Sequence, residues 1–304
     1  MKRDFLTVPD LSAKELEALL GRALAMKAGT DANKCPLIGK SVGLFFEKPS
    51  TRTRVSFEVA IYQLGGHSIY MNPKEIQLGR GETLADTARV LSRYLSSIVL
   101  RTYTHASVEE FASCSGIPVI NGLSDLHHPC QALADLMTIL ERKGKLKGIR
   151  LAYIGDGNNV ANSLLGAAAL AGMTVSVACP EGYEPNASIL DKARVAASAS
   201  GGEITVLREP AAAAAAADVI YTDVWVSMGQ EEEAGGTKAL FGDYRINNGL
   251  LRHAKEDVIV LHCLPAHRGE EITDEVMDGP HSAVFDQAEN RLHTEKALLE
   301  FLLG

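Results

Sequence analysis

No stretch of this 304-residue chain reaches the roughly 18 consecutive apolar residues that a membrane-crossing helix needs, so no membrane partner is expected. Lysine and arginine never gather into a block, and the formal net charge is −8 at pH 7. That balance argues against nucleic acid or an anionic membrane surface as a partner, so any anion must be held by a local site. The five cysteines, Cys35, Cys114, Cys130, Cys179 and Cys263, are odd in number and scattered, with no C-x-x-C pair. Zinc has no ligand spacing here, and no metal is called for. The start, Met1 to Asp10, shows no apolar core of a secretory signal and carries an acid early, unlike a transit peptide rich in arginine and serine. A reducing, cytoplasmic setting is expected. Low complexity is confined to Ala211 to Ala217, which reads as a short surface helix because alanine has the highest helix propensity and no chemistry. Glu231-Glu232-Glu233, ahead of Gly235-Gly236, reads as a solvated loop.

What is present is a globular composition, 46% hydrophobic and 22% charged. At roughly 100 to 150 residues per domain the chain should hold two domains, each with its own core. Short β-branched runs alternate with longer helical patterns, which predicts an α/β protein of two domains, each a parallel sheet flanked by helices. The expected strands are Ser41 to Phe46, Gly66 to Tyr70, Ile98 to Arg101 and Pro118 to Asn121 in the first half. In the second they are Arg150 to Ile154, Thr174 to Ala178, Glu203 to Val206, Val219 to Thr222 and Val258 to His262. Helices are expected near 50–64, 82–95 and 107–115. Pro129 to Lys143, which closes in Lys143-Gly144-Lys145, reads as an interdomain helix. The domains are placed at 1–145 and 146–286. Residues 287–304 form a C-terminal helix whose apolar face, Leu292, Leu298, Leu299 and Leu302, returns to the first domain.

The densest chemistry lies in Phe46-Glu47-Lys48-Pro49-Ser50-Thr51-Arg52-Thr53-Arg54, where an apolar run gives way to hydroxyls and guanidiniums. If a helix opens after Pro49, its first-turn N–H groups lack intrahelical partners and its dipole favours an anion. Ser50, Thr51 and Thr53 can donate, and Arg52 and Arg54 offer planar forks that match phosphate oxygens. The plainer alternative is an ordinary Ser50 N-cap followed by two solvated arginines.

Several predicted strands finish in polar residues, and strand ends are where ligands bind in such sheets. One ends in Arg101, and another leads through Asp125-Leu126-His127-His128 to Pro129-Cys130-Gln131. Others end in Gly155-Asp156-Gly157-Asn158-Asn159, in Asp223 and in His262-Cys263-Leu264-Pro265. Each has a bland reading: a surface charge for Arg101, a helix cap for His128, a turn cap for Asp223, a small core residue for Cys263. Together they suggest a site. Gly155-x-Gly157 after a strand also admits an NAD-dependent dehydrogenase, with Glu181 as the ribose acid, although the third glycine position is Val160. A non-catalytic anion-binding module would leave Asp223 and Cys263 incidental.

Over essentially its whole length the chain resembles the aspartate and ornithine carbamoyltransferases. Phe46 to Arg54 resembles their carbamoyl-phosphate loop and His128-Pro129-Cys130-Gln131 their second shared element. Asp223-Val224-Trp225-Val226-Ser227-Met228-Gly229 and His262-Cys263-Leu264-Pro265 resemble the ornithine branch. The resemblance implies carbamoyl transfer from carbamoyl phosphate to the δ-amine of L-ornithine, giving citrulline and phosphate, with no cofactor and no metal. It also implies that Ser50, Thr51, Arg52 and Thr53 hold the phosphate while Arg101, His128 and Gln131 contact and polarise the carbamoyl group. Gln77 would reach the site of a neighbouring subunit, which makes a homotrimer or a multiple of trimers the expected assembly. Asn159, Asp223, Ser227 and Met228 would hold the amino-acid end of ornithine. Cys263 and Leu264 would lie beside the reacting amine and the carbamoyl phosphate, and Arg291 would close on the carbamoyl side. The catalytic roles fall to Arg101, His128 and Cys263, the last as proton acceptor or as a group that positions the amine. Relatives acting on putrescine or N-acylornithine are alternatives, against which the apparent amino-acid clamp favours ornithine.

Overall fold

The computed structural model describes residues 2–30, 35–72, 81–225 and 239–304. Gln77, Ser227, Met228 and the acidic run Glu231 to Glu233 lie outside the described residues. In one compact unit, Met1–Met137 with Asn290–Gly304, the strands β1 (Ser41–Phe46), β2 (His67–Met71), β3 (Ser97–Arg101) and β4 (Val119–Leu123) form a parallel sheet in the order β2-β1-β3-β4. β1 is buried from Val42 to Phe46, and a near-continuous apolar run is what a central parallel strand covered on both faces requires. Its core gathers Phe45, Ile98, Leu100, Val108 and Phe111.

Helices α1 (Ala13–Lys27), α2 (Thr51–Gln63), α3 (Leu84–Leu91) and α4 (His105–Cys114) start at Ser12, Ser50, Thr83 and Thr104. In each the side-chain oxygen accepts a backbone N–H three residues on, which satisfies one of the open donors of the first turn. α1 has no counterpart among the sequence expectations, although Ser12 and Glu15 form a capping box that marks its start. The C-terminal helix, Val284–Leu303, packs on this unit: Arg22 meets Glu300 at 2.9 Å and Lys27 donates to Asn290 Oδ1 at 2.8 Å.

The second unit, Thr138–Glu289, carries β5 (Arg150–Ile154), β6 (Thr174–Ala178), β7 (Glu203–Leu207), β8 (Val219–Thr222) and β9 (Ile259–His262), all parallel, in the order β7-β6-β5-β8-β9. The unit boundary falls inside helix α5 (Pro129–Lys143), so this helix belongs to both. α6 (Asn159–Ala171) and α7 (Ala187–Ser200) each end at a left-handed glycine, Gly172 and Gly201. The alanine run is a surface helix on one side only, with Ala212, Ala215 and Ala216 exposed. It forms α8 (Pro210–Ala214), and Ala213, Ala214 and Ala217 are buried in the core with Trp225, Phe241 and Tyr244. Small side chains let the helix approach the sheet closely there, and packing rather than propensity explains the composition.

Both sheets reverse their winding, the first between β1 and β3, the second between β5 and β8. At such a switch point the loops leave in opposite directions and open a crevice at the carboxyl ends of the strands.

Gly157, just after β5, is held by packing: a Cβ there would stand 2.2 Å from Pro185 N and 2.4 Å from Glu184 C, both backbone atoms. Gly157→Ala is therefore expected to cost roughly 1–3 kcal/mol by overpacking, read as a lower urea midpoint at unchanged m-value. A wild-type midpoint would mean that the two segments do not meet.

Candidate active site

In the first unit the switch point brings the end of β3 beside the start of α2, the turn expected to hold an anion. β1 and β3 stay in register to Phe46 opposite Arg101, and Glu47 N donates to Arg101 O at 2.8 Å. This places the end of β3 beside the turn into α2. There Ser50 is extended and its Oγ accepts from Thr53 N at 3.2 Å. Thr51 and Arg52 are exposed on the first turn, and Thr53 is buried. Arg54 is not part of the site: its Nε donates to Glu58 Oε1 at 2.9 Å and its guanidinium lies 3.7 Å over the Tyr70 ring.

His128 stands immediately before α5, with Pro129 in the first turn, where a missing N–H costs little. Burial, then the charges of Arg291, Arg101 and Arg52, hold the His128 imidazole well below its ordinary value, so it is neutral at pH 7. Three guanidiniums thus act on one neutral ring. A neutral ring can donate a hydrogen bond to a carbonyl without adding to the repulsion among these cations. Arg101 is 3% exposed and Arg291 likewise 3%.

Arg291 ties three helices together. Its Nη1 donates to Gln131 Oε1 at 2.9 Å and its Nη2 to Thr53 Oγ1 at 3.2 Å. Its Nε and Nη2 donate to Glu295 Oε1 at 3.0 and 2.8 Å. Gln131 Nε2 donates to Asp135 Oδ1 at 2.8 Å. A guanidinium only donates and a carboxylate only accepts, so these two neighbours settle which way the Gln131 amide points. Cys130, between these residues, is structural: its Sγ donates to Asn121 O at 3.4 Å and burial pushes its thiol far up.

In the second unit the switch point brings together the loops after β5 and β8. Asn158 Oδ1 caps α6, accepting from Val160 N at 2.9 Å and Ala161 N at 3.2 Å, while its Nδ2 donates to Asp223 Oδ2 at 2.8 Å. Cys263 Sγ donates to the other oxygen, Asp223 Oδ1, at 2.9 Å. Asp223 is 6% exposed and directly follows β8; Asn159 opens α6. Nearby, burial and then the Asp223 charge push the Asp156 carboxyl up to about 7.

Leu264 has φ 60°, a left-handed conformation that a bulky side chain adopts only where its surroundings impose it. His262 imposes it. Its Nδ1 accepts from Leu264 N at 2.9 Å, which leaves Nε2 to donate to Glu271 Oε1, also at 2.9 Å, with ring and carboxylate fully buried. Asp223, His262 and Cys263 are close enough together to suggest a metal site, but both ring nitrogens of His262 are engaged in these bonds.

The dehydrogenase reading meets two obstacles here. The Asn158 side chain occupies the first N–H groups of α6 that a pyrophosphate would need, and the open face of Gly157 is filled by Pro185 and Glu184.

Asp135, Glu295 and Glu271 belong to these networks and were not singled out by sequence reasoning, whereas Asn158 was named there at the end of a strand. The first two stand four residues beyond Gln131 and Arg291, so a carboxylate one helical turn from a site residue was the available signal. Glu271 had none, since it reaches His262 through an irregular loop.

Two doubly wound parallel sheets, one with buried arginines near the start of α2 and the other with a carboxylate, thiol and amide cluster, define a two-unit α/β protein. Residues 3–141 match the family description "Aspartate/ornithine carbamoyltransferase, carbamoyl-P binding domain", and residues 147–302 match "Aspartate/ornithine carbamoyltransferase, Asp/Orn binding domain". The chain belongs to the aspartate/ornithine carbamoyltransferase family. It is 56% identical over 304 residues to an ornithine carbamoyltransferase of Acidothermus cellulolyticus, with 100% of this chain and 97% of that one covered. It is 53% identical over 304 residues to that of Thermococcus kodakarensis, at 99% and 96% coverage. The solved ornithine carbamoyltransferase from Pyrococcus furiosus has a TM-score of 0.96 to it at 53% identity, covering 99% of this chain and 97% of that one.

Proposed function

We propose that this chain is an ornithine carbamoyltransferase: it moves the carbamoyl group of carbamoyl phosphate to the δ-amine of L-ornithine, giving citrulline and phosphate. The observation that carries the reading is the hydrogen bonding of buried Arg291 to Gln131, near His128 at the start of α5, and to Thr53 in the first turn of α2, in the unit that also buries Arg101 at the end of β3. Carbamoyl phosphate is an anion with one polarisable carbonyl, and this arrangement supplies cations for the phosphate and a neutral donor for the carbonyl.

In the reaction the neutral δ-amine attacks the carbonyl carbon, the carbonyl oxygen takes up negative charge, and the bond to the phosphate oxygen breaks with its electron pair. The amine nitrogen then loses a proton, which the departing phosphate accepts. Ser50, Thr51, Arg52 and Thr53 take the phosphate, Arg101 and His128 stabilise the developing oxyanion, and Gln131, Leu264 and Arg291 orient the carbamoyl group. Asp223 and Asn159 take the amino-acid end of ornithine together with Ser227 and Met228. Cys263 has its proton directed at Asp223, which supports a role in positioning the amine rather than in accepting its proton. The functional division lies near residue 145, with 287–304 serving the carbamoyl-phosphate side. Gln77 completes a neighbour's site in a homotrimer or a multiple of trimers, and the enzyme works in the cytoplasm in arginine metabolism. No helix among the described residues is long and apolar enough to cross a membrane.

The test is citrulline formation with ornithine, run beside putrescine, N-acetylornithine and aspartate as acceptors. Turnover with ornithine alone is expected, and Cys263→Ala should reduce it by about 10- to 100-fold. Product from another acceptor overturns the assignment of Asp223 and its loop; no product from any acceptor overturns the transferase reading.

A further inference from the structure

Glu295 lies one turn beyond Arg291 on the C-terminal helix and is 1% exposed, among the buried Ala297, Leu298 and Leu299. Burying a carboxylate is costly unless it is paired, and here its Oε1 accepts from both Nε and Nη2 of Arg291. The guanidinium has five N–H groups; bonds to Glu295, Thr53 and Gln131 take four, and the one that remains is on Nη1. The carboxylate therefore grips one edge of the fork and fixes its roll, so that the opposite edge faces Gln131 of the candidate site.

We propose that Glu295 is a positioning residue for carbamoyl phosphate: it sets the orientation of the Arg291 guanidinium, and its charge state sets how much of that cation's field reaches the bound anion. The proposal rests on the first unit's site being the carbamoyl-phosphate site. The groups facing Glu295 are Arg291 on its own helix, Ser56 on α2 and Cys130 on α5, with Asp135 of α5 acting on Arg291 in turn. Arg291 is the cation among them. Burial, opposed by Arg291, pushes the Glu295 carboxyl up to about 7. A bound anion beside Arg291 favours the neutral acid, so anion affinity falls as pH rises through that value and Glu295 ionises.

The experiment compares wild type with Glu295→Leu and Glu295→Gln from about pH 6 to 9. It measures calorimetric affinity for inorganic phosphate together with kcat and KM for carbamoyl phosphate and for ornithine. Glu295→Leu, which releases the fork, should weaken phosphate binding and raise KM for carbamoyl phosphate by about tenfold or more, leaving KM for ornithine unchanged. Glu295→Gln keeps an acceptor and should return both to within about threefold of wild type while removing the decline above neutral pH. A folded Glu295→Leu protein with wild-type phosphate affinity, or a Glu295→Gln protein that keeps the wild-type decline, overturns the proposal. If the leucine variant fails to fold, the pH profile of the glutamine variant decides. A wild type that neither binds phosphate nor makes citrulline brings down the site reading itself, and this proposal with it.

Discussion

Arg101→Ala is expected to lower citrulline formation by about 10²- to 10³-fold, chiefly in kcat. The guanidinium sits at the last residue of β3, 3% exposed, on a backbone held by the ladder to β1 and by Glu47 N at 2.8 Å. A donor so placed is ordered before the substrate arrives and needs no reorganisation as charge develops on the carbonyl oxygen. Loss of the donor removes transition-state stabilisation that neutral His128 cannot replace, because burial and the neighbouring arginines keep that ring from becoming a cation. Arg101→Lys restores the charge without the planar fork and should fall between alanine and wild type. Arg54→Ala is the control: its fork is taken up by Glu58 and Tyr70, and kcat should stay near wild type. Steady-state kinetics of the three variants decide the matter, and an alanine variant within about threefold of wild type would remove Arg101 from the mechanism.

Asp223→Asn should raise KM for ornithine by about 30- to 5000-fold and leave KM for carbamoyl phosphate nearly unchanged, the roughly 2–5 kcal/mol typical of a buried charge left without its partner. The side chain accepts from Asn158 Nδ2 at 2.8 Å and from Cys263 Sγ at 2.9 Å, so its position is set from two sides before any ammonium group approaches. Asparagine keeps the shape and loses the charge, and its own amide must turn N–H toward one of those two donors. A second readout follows from Asp156. Its carboxyl is pushed up to about 7 by burial first and by the Asp223 charge second, so removal of that charge lowers it, and burial alone keeps it above the ordinary carboxylate range. A carboxyl-carbon NMR titration checks the sign. Unchanged ornithine KM together with an unmoved Asp156 titration would show that Asp223 does not carry the charge assigned to it.

Much of this architecture was legible in the chain. The named strands begin and end within two residues of the expected bounds, because short runs rich in β-branched residues between helical patterns have few alternatives to strands of a parallel sheet. Helix α5 coincides with its expected limits. The start of α2 was legible too, since Ser50 caps it through a bond spanning only three residues. Burial of the alanine run was not, because small residues suit an exposed helix and a closely packed one equally well. The residue types alone did not separate Arg52 from Arg54, two forks in one turn; the family resemblance named Arg52, and the fork of Arg54 is held by Glu58.

By itself the sequence determined the two parallel sheets, the caps and the polar strand ends, all of which depend on side-chain period and on hydrogen bonds a few residues long. Only the tertiary structure decided which polar groups meet. Arg291 reaches Gln131 across 160 positions and Thr53 across 238, and Cys263 reaches Asp223 across 40. Periodicity says which way a residue faces, but the partner of a buried donor is chosen by how whole elements pack, and that information is not local.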